Sequence, residues 1–203
     1  MRNNQPVTQK EYKFPAHHRL ISSTDKRGVI QHCNSEFVEA SGYTREELIG
    51  KNHNVIRHPD MPAPVFKEMW RTLESGQSWL GLVKNRRKNG DHYWVRANVT
   101  PVINDGTVEG YVSIRTKPSE AEKQRAEHVY ADLRNGKAQN IGLEQGEIIA
   151  TGPAAKFSNF FSSIKGSLTL AFGALVLLIL IIGLYGLSAC PSPGSGPWPR
   201  FPA

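Results

Sequence analysis

A chain of 203 residues with a formal charge of +7 has room for one or two domains, and its positive charge alone suggests nucleic acid or anionic lipid. The distribution argues against nucleic acid, because the 25 Lys and Arg are scattered among 18 acids without a basic helix or an aromatic-interleaved stripe. Two cysteines in unlike contexts, Cys33 and Cys190, build neither a disulfide framework nor a metal knuckle. A reducing compartment is expected for the soluble part, with Cys33 a small packed thiol.

Residues 1–18 have no apolar core that could act as a signal peptide and read as an N-terminal cap segment. Residues 20–23 and 29–33 form a candidate hairpin around Asp25-Lys26-Arg27-Gly28, a turn-type cluster. Asn34 is placed to cap a short helix carrying Phe37 and Val38. Thr44, with Glu47 three residues on, makes a capping box for another helical turn ending near Gly50. Beyond the loop His53-Asn54-Val55-Ile56-Arg57-His58-Pro59-Asp60-Met61-Pro62, the residues Val65, Phe66, Met69, Trp70 and Leu73 repeat with the helical period. A helix over about 62–75 is predicted, stopped by Gly76, and Asp60 ahead of Pro62 is a natural cap for it.

Two β-patterned runs, 79–86 and 92–102, follow on either side of Asn89-Gly90, the strongest short-range hairpin signal. Alternation puts Trp79, Gly81, Val83 and Asn85 on one face. A flat aromatic, a gap and a terminal amide on one surface suit a planar ligand stacked at one end and hydrogen-bonded at the other; they equally suit a half-buried strand with a core Trp. Arg87, beside the turn, is expected near solvent. A third strand over 108–115 follows Asn104-Asp105-Gly106, and its alternation puts Arg115 on the side of Tyr111 and Ser113. Two strands, short helices, one longer helix and three antiparallel strands make an α+β domain at 19–118, with its sheet wrapped over helices.

The segment 119–165 reads as a linker with amphipathic helices. Ala126, Val129, Tyr130 and Leu133 fall on one packing face, and Phe157, Phe160, Phe161 and Ile164 on another that suits a membrane interface. Residues 167–187, SLTLAFGALVLLILIIGLYGL, carry no charge, and about 20 apolar residues are what one helix needs to cross a bilayer. A transmembrane helix over 166–188 is predicted, and Lys156 and Lys165 ahead of it, against Arg200 after it, place residues 1–165 in the cytoplasm. The tail 189–203, with five prolines in CPSPGSGPWPRFPA, reads as disordered.

SGYTREELIGK at 41–51, HPDMP in the loop, the NRRKNG hairpin and SIRTK at 113–117 together resemble the PAS sensor domain of bacterial aerotaxis receptors. The resemblance is detailed over 19–118 and looser through the linker to the span. It implies a PAS fold, a five-stranded antiparallel sheet with short helices, followed by a helical linker and one transmembrane helix. It also implies non-covalent FAD whose redox state is reported to the chemotaxis kinase. Carried over by position, Arg57, His58 and Asp60 would support FAD binding, Trp79 and Asn85 would line the isoalloxazine ring, and Asn34 would be a further pocket residue. The chemistry of these side chains suits those roles. An Asn amide matches the O=C–N–H edge of a flavin, an indole supplies a wall, and Arg57 offers a fork that Asp60 can hold in place. Arg115 would put positive charge near the ring.

The partners implied are FAD, other receptor subunits in a homo-oligomer or with intact chemoreceptors, and the bacterial inner membrane, with no nucleic acid. Such a receptor would continue into a HAMP linker and a kinase-control module, an output half expected to be missing from this chain. No nucleophile elbow, metal-ligand spacing or phosphate loop indicates an enzyme. Two further readings stand beside this one: a cofactor-free PAS interaction module, and a haem-binding PAS oxygen sensor using His53 or His58 as axial ligand.

Overall fold

The computed structural model describes residues 3–138 and 141–152. The expected interfacial helix at 157–164, the span at 166–188 and the tail at 189–203 lie outside the described residues. Among those described, no helix is long and apolar enough to cross a membrane.

Strands β1 (Leu20–Asp25) and β2 (Ile30–Cys33) pair as the predicted hairpin, and Cys33 is a buried free thiol. Helix α1 (Ser35–Ser41) is capped by Asn34, and α2 (Arg45–Leu48) by the reciprocal Thr44 and Glu47 bonds. A single 3-10 turn, His53–Ile56, precedes α3 (Ala63–Glu74), whose apolar stripe faces the core. Pro62 occupies the cap position of α3 without a side-chain bond. Asp60 is therefore not the cap of this helix, because its carboxylate is drawn to Lys84 instead, 2.7 Å away.

Strands β3 (Trp79–Arg86), β4 (His92–Asn104) and β5 (Thr107–Thr116) complete a five-stranded antiparallel sheet of order β2-β1-β5-β4-β3. The register sets Trp79 opposite Val99, Val99 opposite Ser113 and Ser113 opposite Ser22, and one pleat further Gly81 opposite Ala97, Arg115 and Leu20 in turn. Because side chains alternate between faces, these rows look inward together. On the outer face, α4 (Glu120–Arg134) buries Ala126, Val129 and Tyr130, as the linker pattern predicts. Tyr130 stacks on Trp94 at 6.2 Å between centroids, and its hydroxyl donates to the Leu82 carbonyl at 2.7 Å. Within the segment expected to be helical linker, β6 (Ile141–Glu144) and β7 (Glu147–Ala150) form a separate two-stranded hairpin.

Residues 3–14 bind as a strap along the β3–β4 turn. The Tyr12 N–H donates to the His92 carbonyl and the His92 N–H to the Lys10 carbonyl, Arg86 donates to the Pro6 and Gln5 carbonyls, and Phe14 is buried. Gly90 (φ +98°) meets the strap so closely that a Cβ there would sit 2.8 Å from the Pro6 carbonyl oxygen. The Asn-Gly pair thus serves a contact as well as a turn. Arg87 is held rather than free: its guanidinium lies 3.7 Å over the Tyr12 ring and donates to the Glu39 carbonyl. The Asn4 amide nitrogen lies 2.8, 3.2 and 2.9 Å from the carbonyl oxygens of Asn54, Val55 and Arg57, fastening the strap to the 3-10 turn.

Asn4→Ala leaves those carbonyls short of a donor and is expected to cost about 1–3 kcal/mol. Exposed Lys10→Ala is expected to change stability by less than about 0.5 kcal/mol, and urea unfolding of the two variants measures the difference.

Candidate functional site

Between the inner face of the sheet and α3 lies a cavity of about 480 Å³, within the range of small-molecule sites. Trp79, Val83 and Asn85 from β3, Ala97 and Val99 from β4, and Tyr111, Ser113 and Arg115 from β5 form one wall; Phe66, Met69, Trp70 and Leu73 from α3 form the other. Exposed Arg27, Asn52 and Asn54 mark its mouth.

Of the six candidate residues, the structure brings Arg57, Trp79 and Asn85 together on this cavity. An isolated antiparallel bridge joins the backbones of Arg57 and Asn85, so the loop and β3 arrive side by side. The Arg57 guanidinium lies 4.2 Å over the Phe66 ring and donates to the Met61 carbonyl at 2.8 Å, while its Nε has no partner. The buried Asn85 amide nitrogen and Ser113 hydroxyl likewise make no well-formed hydrogen bond. Tyr93 OH lies beside the Asn85 amide; burial pushes the phenol up in pKa, and the neighbouring Arg115 charge and the amide pull the other way.

Trp79 corrects one expectation. A Cβ on Gly81 would fall 2.4 Å from its indole, so the ring lies flat across Gly81 and fills the gap that alternation had offered to a ligand. The indole Nε1 donates to the buried Glu68 carboxylate at 2.6 Å. The ligand-facing surface is therefore the wall of Trp79 rather than a slot beside it.

Asn34, His58 and Asp60 do not line the cavity. Asn34 Oδ1 accepts from the Ile21 and Phe37 amides at 3.0 Å each, and its nitrogen donates to the Arg19 carbonyl at 2.7 Å, so the amide is spent joining β1 to α1. His58 is buried and accepts the Asp60 amide through Nδ1. Burial first, and the Lys84 charge second, push its pKa down to about 4 against the opposing pull of Asp60. Burial works to raise the Asp60 carboxyl, but the Lys84 hydrogen bond and charge outweigh it and hold the group below the usual range. These two residues shape the loop that carries Arg57.

The alternation of β5 placed Arg115 with Tyr111 and Ser113, and the structure sets all three on the cavity. Arg115 is 4% exposed and pairs with no carboxylate among the described residues. Its guanidinium donates to Ser22 Oγ at 3.1 Å and lies 2.8 Å from His53 Nε2. Burial lowers its pKa to about 10, which still leaves it charged at neutral pH. His53 keeps some surface toward the cavity, yet its enclosure, and then the Arg115 charge, push it down to about 3. It is a neutral ring accepting from the guanidinium, and axial ligation of haem through Nε2 would forfeit that bond. The residue that sequence reasoning missed is Glu68, although it sits in the helical period with Val65, Met69 and Thr72 and so belongs to the buried face of α3. Among the described residues, no three His, Cys, Asp or Glu side chains cluster as metal ligands.

A ligand cavity between one antiparallel sheet and short helices is the arrangement of a PAS domain, and residues 30–115 match the family model of the PAS fold. More particularly, the chain is 40% identical over 178 residues to the aerotaxis receptor of Escherichia coli (strain K12), an alignment covering 87% of this chain and 35% of the receptor. It is 34% identical over 96 residues to the nitrogen fixation regulatory protein of Klebsiella oxytoca, covering 47% of this chain and 19% of that one. A solved light-oxygen-voltage domain studied with a flavin analogue superposes with a TM-score of 0.49 at 21% identity, covering 59% of this chain and 89% of that domain. The chain thus spans about a third or less of the length of these curated relatives.

The depressed pKa values of His58 and His53 carry a sign for stability. The unfolded chain takes up protons near pH 6.5 that folded His58 and His53 refuse until about 4 and about 3, so stability is full above 6.5 and falls with acidification below it. The fall approaches about 1.4 kcal/mol per pH unit for each histidine. Urea midpoints are expected to drop from pH 7 to 5, and to drop less in His58→Gln; a flat profile in the unaltered chain would contradict buried neutral rings.

Proposed function

We propose that the domain is the redox-sensing input of an energy-taxis transducer and holds FAD in the 480 Å³ cavity. The observation that supports this best is chemical: flat aromatic walls enclose a floor with an uncompensated Arg115 and unpartnered polar atoms on Asn85, Ser113 and Arg57. A buried polar group without a partner costs about 1–3 kcal/mol, which a planar ligand with donors and acceptors along one edge would relieve. The resemblance of the sequence to aerotaxis receptors, which implies FAD, supports flavin as that ligand.

In this reading the Asn85 amide and the Ser113 hydroxyl meet the polar edge of the ring, and Trp79, Phe66 and Trp70 bound its faces. Arg57, near the mouth, offers its free Nε to the anionic arm of the dinucleotide. Asn34, His58 and Asp60 serve as supports: the first ties β1 to α1, and the other two hold the loop of Arg57. Bound flavin supplies reversible electron uptake, and Arg115 favours whichever redox state places negative charge beside it. The domain acts on no substrate. The segment 119–165 links it to a span at 166–188 in the bacterial inner membrane, with residues 1–165 in the cytoplasm, and receptor subunits are its partners.

The full chain is expected to quench FAD fluorescence on titration and to purify yellow. Asn85→Ala should weaken FAD affinity about tenfold to a hundredfold, whereas Asn98→Ala, on the exposed outer face opposite Leu80, should leave it unchanged. Equal affinities in the two variants would place the pocket elsewhere, and a Soret band would indicate haem.

For topology, reporter fusions after Lys137 and after Ala203 are expected to report opposite sides of the membrane. Two cytoplasmic signals would make 166–188 a re-entrant segment.

A further inference from the structure

Glu68 is buried in α3 and makes no ion pair among the described residues, yet both carboxylate oxygens are occupied. Oε1 accepts from Thr72 Oγ1 at 2.8 Å and from the Gln145 amide at 2.7 Å; Oε2 accepts from Trp79 Nε1 at 2.6 Å and from the Gly146 amide at 3.2 Å. Two of these donors belong to the turn of the β6–β7 hairpin, and one is the indole that walls the cavity.

We infer that Glu68 is a positioning residue that couples the cavity to the 141–150 hairpin, so that fixing the Trp79 indole strengthens docking of the hairpin and docking in turn steadies the indole. An isolated two-stranded hairpin is marginal in water, and the side chains of β6 and β7 are only half-buried or exposed. Its attachment combines the packing of half-buried Ile141, Leu143 and Ile148 against the core with a few bonds: the turn on Glu68, the Leu80 amide donating to the Gln145 carbonyl at 3.0 Å, Gln145 Nε2 donating to Gln77 Oε1 at 3.3 Å, and Arg125 donating to the Ile148 carbonyl at 3.3 Å. Gly146 (φ +90°) lets the turn press against β3, where a Cβ would fall 2.2 Å from the Leu80 carbonyl oxygen. Leu80 directly follows Trp79, so indole and turn meet the same stretch of strand as well as the same carboxylate.

Charge-assisted hydrogen bonds are directional, and a carboxylate shared by four donors transmits the loss of one as a shift in its hold on the others. Coupling of this kind is reciprocal between the two ends. Because β6–β7 follows α4 and precedes residue 153, the hairpin is the described element through which a change at the cavity would reach the chain leading to 166–188.

The test is amide hydrogen exchange of residues 141–150 in the full chain. Trp79→Phe keeps a ring but deletes the donor, and Glu68→Gln replaces one acceptor by a donor; each is expected to speed exchange at 141–150 about tenfold while β4 and β5 amides keep their protection. Unchanged exchange at 141–150, or exchange that rises only in step with β4 and β5, overturns the coupling. A second arm rests on the flavin reading: FAD should slow exchange at 141–150 several-fold in the unaltered chain but not in Glu68→Gln. If FAD quenches on titration yet leaves 141–150 unchanged, the coupling to ligand fails while the flavin reading stands. If FAD does not bind, the flavin reading fails and the ligand-free Trp79→Phe comparison still decides the coupling.

Discussion

The register of the antiparallel sheet is the constraint on which the rest depends. With Trp79, Val99, Ser113 and Ser22 in one cross-strand row and Gly81, Ala97, Arg115 and Leu20 in the next, four strands present one continuous inner surface. A slip of one residue in β3 would turn Trp79 and Asn85 outward and bring exposed Leu80 and buried Lys84 to the cavity, which a half-buried sheet does not tolerate. The β3–β4 turn holds that register from one end, and the strap of residues 3–14 holds the turn. The long approach of the N-terminal segment is thus part of the site, although none of its residues lines the cavity.

Two of the buried charged residues divide the work around the cavity. Glu68 and Arg115 lie on different elements, and neither is neutralised by the other. Glu68 is satisfied by hydroxyl, indole and amide donors, which makes it a fixed structural anchor. Among the described residues, Arg115 meets Ser22, the Leu20 carbonyl at 3.5 Å, the neutral His53 ring and the Phe37 ring at 5.2 Å, and it keeps its positive field at the cavity. Stranding a guanidinium this way is costly unless something in the cavity compensates it. Enclosure first, and then that field, keep His53 unprotonated, so the floor is a cation flanked by an acceptor rather than a pair of titrating groups.

His58, Asp60 and Lys84 form a second polar group, separate from the cavity, which binds the loop after the 3-10 turn to β3. Arg134 of α4 also donates to the Asp60 carbonyl, so helix and loop share one anchor on the outer side of the sheet. Residues can thus matter to a binding site by fixing the backbone that carries a contacting side chain. Motif matching alone does not separate the two roles, and here it grouped Asn34, His58 and Asp60 with Arg57, Trp79 and Asn85.

Local chemistry by itself determined much of this chain: the β1–β2 hairpin, the Asn34 cap, the Thr44–Glu47 box, α3, the Asn-Gly hairpin and the shared face of Trp79 and Asn85. Each is decided by side chains within a few residues, through capping bonds, turn conformations or the periods of helix and strand. The alternation of β5 likewise placed Arg115 with Tyr111 and Ser113. What only the tertiary structure decided is how distant pieces meet. The bridge between Arg57 and Asn85, the Lys84 charge that takes Asp60 from the helix cap, the Tyr12 ring under Arg87 and the indole lying in the Gly81 gap all join segments or faces that no local period relates. The 141–150 hairpin escaped for the same reason. Its strands are short and only half-buried, so its alternation is faint, and its place is set by a carboxylate 77 residues away in α3.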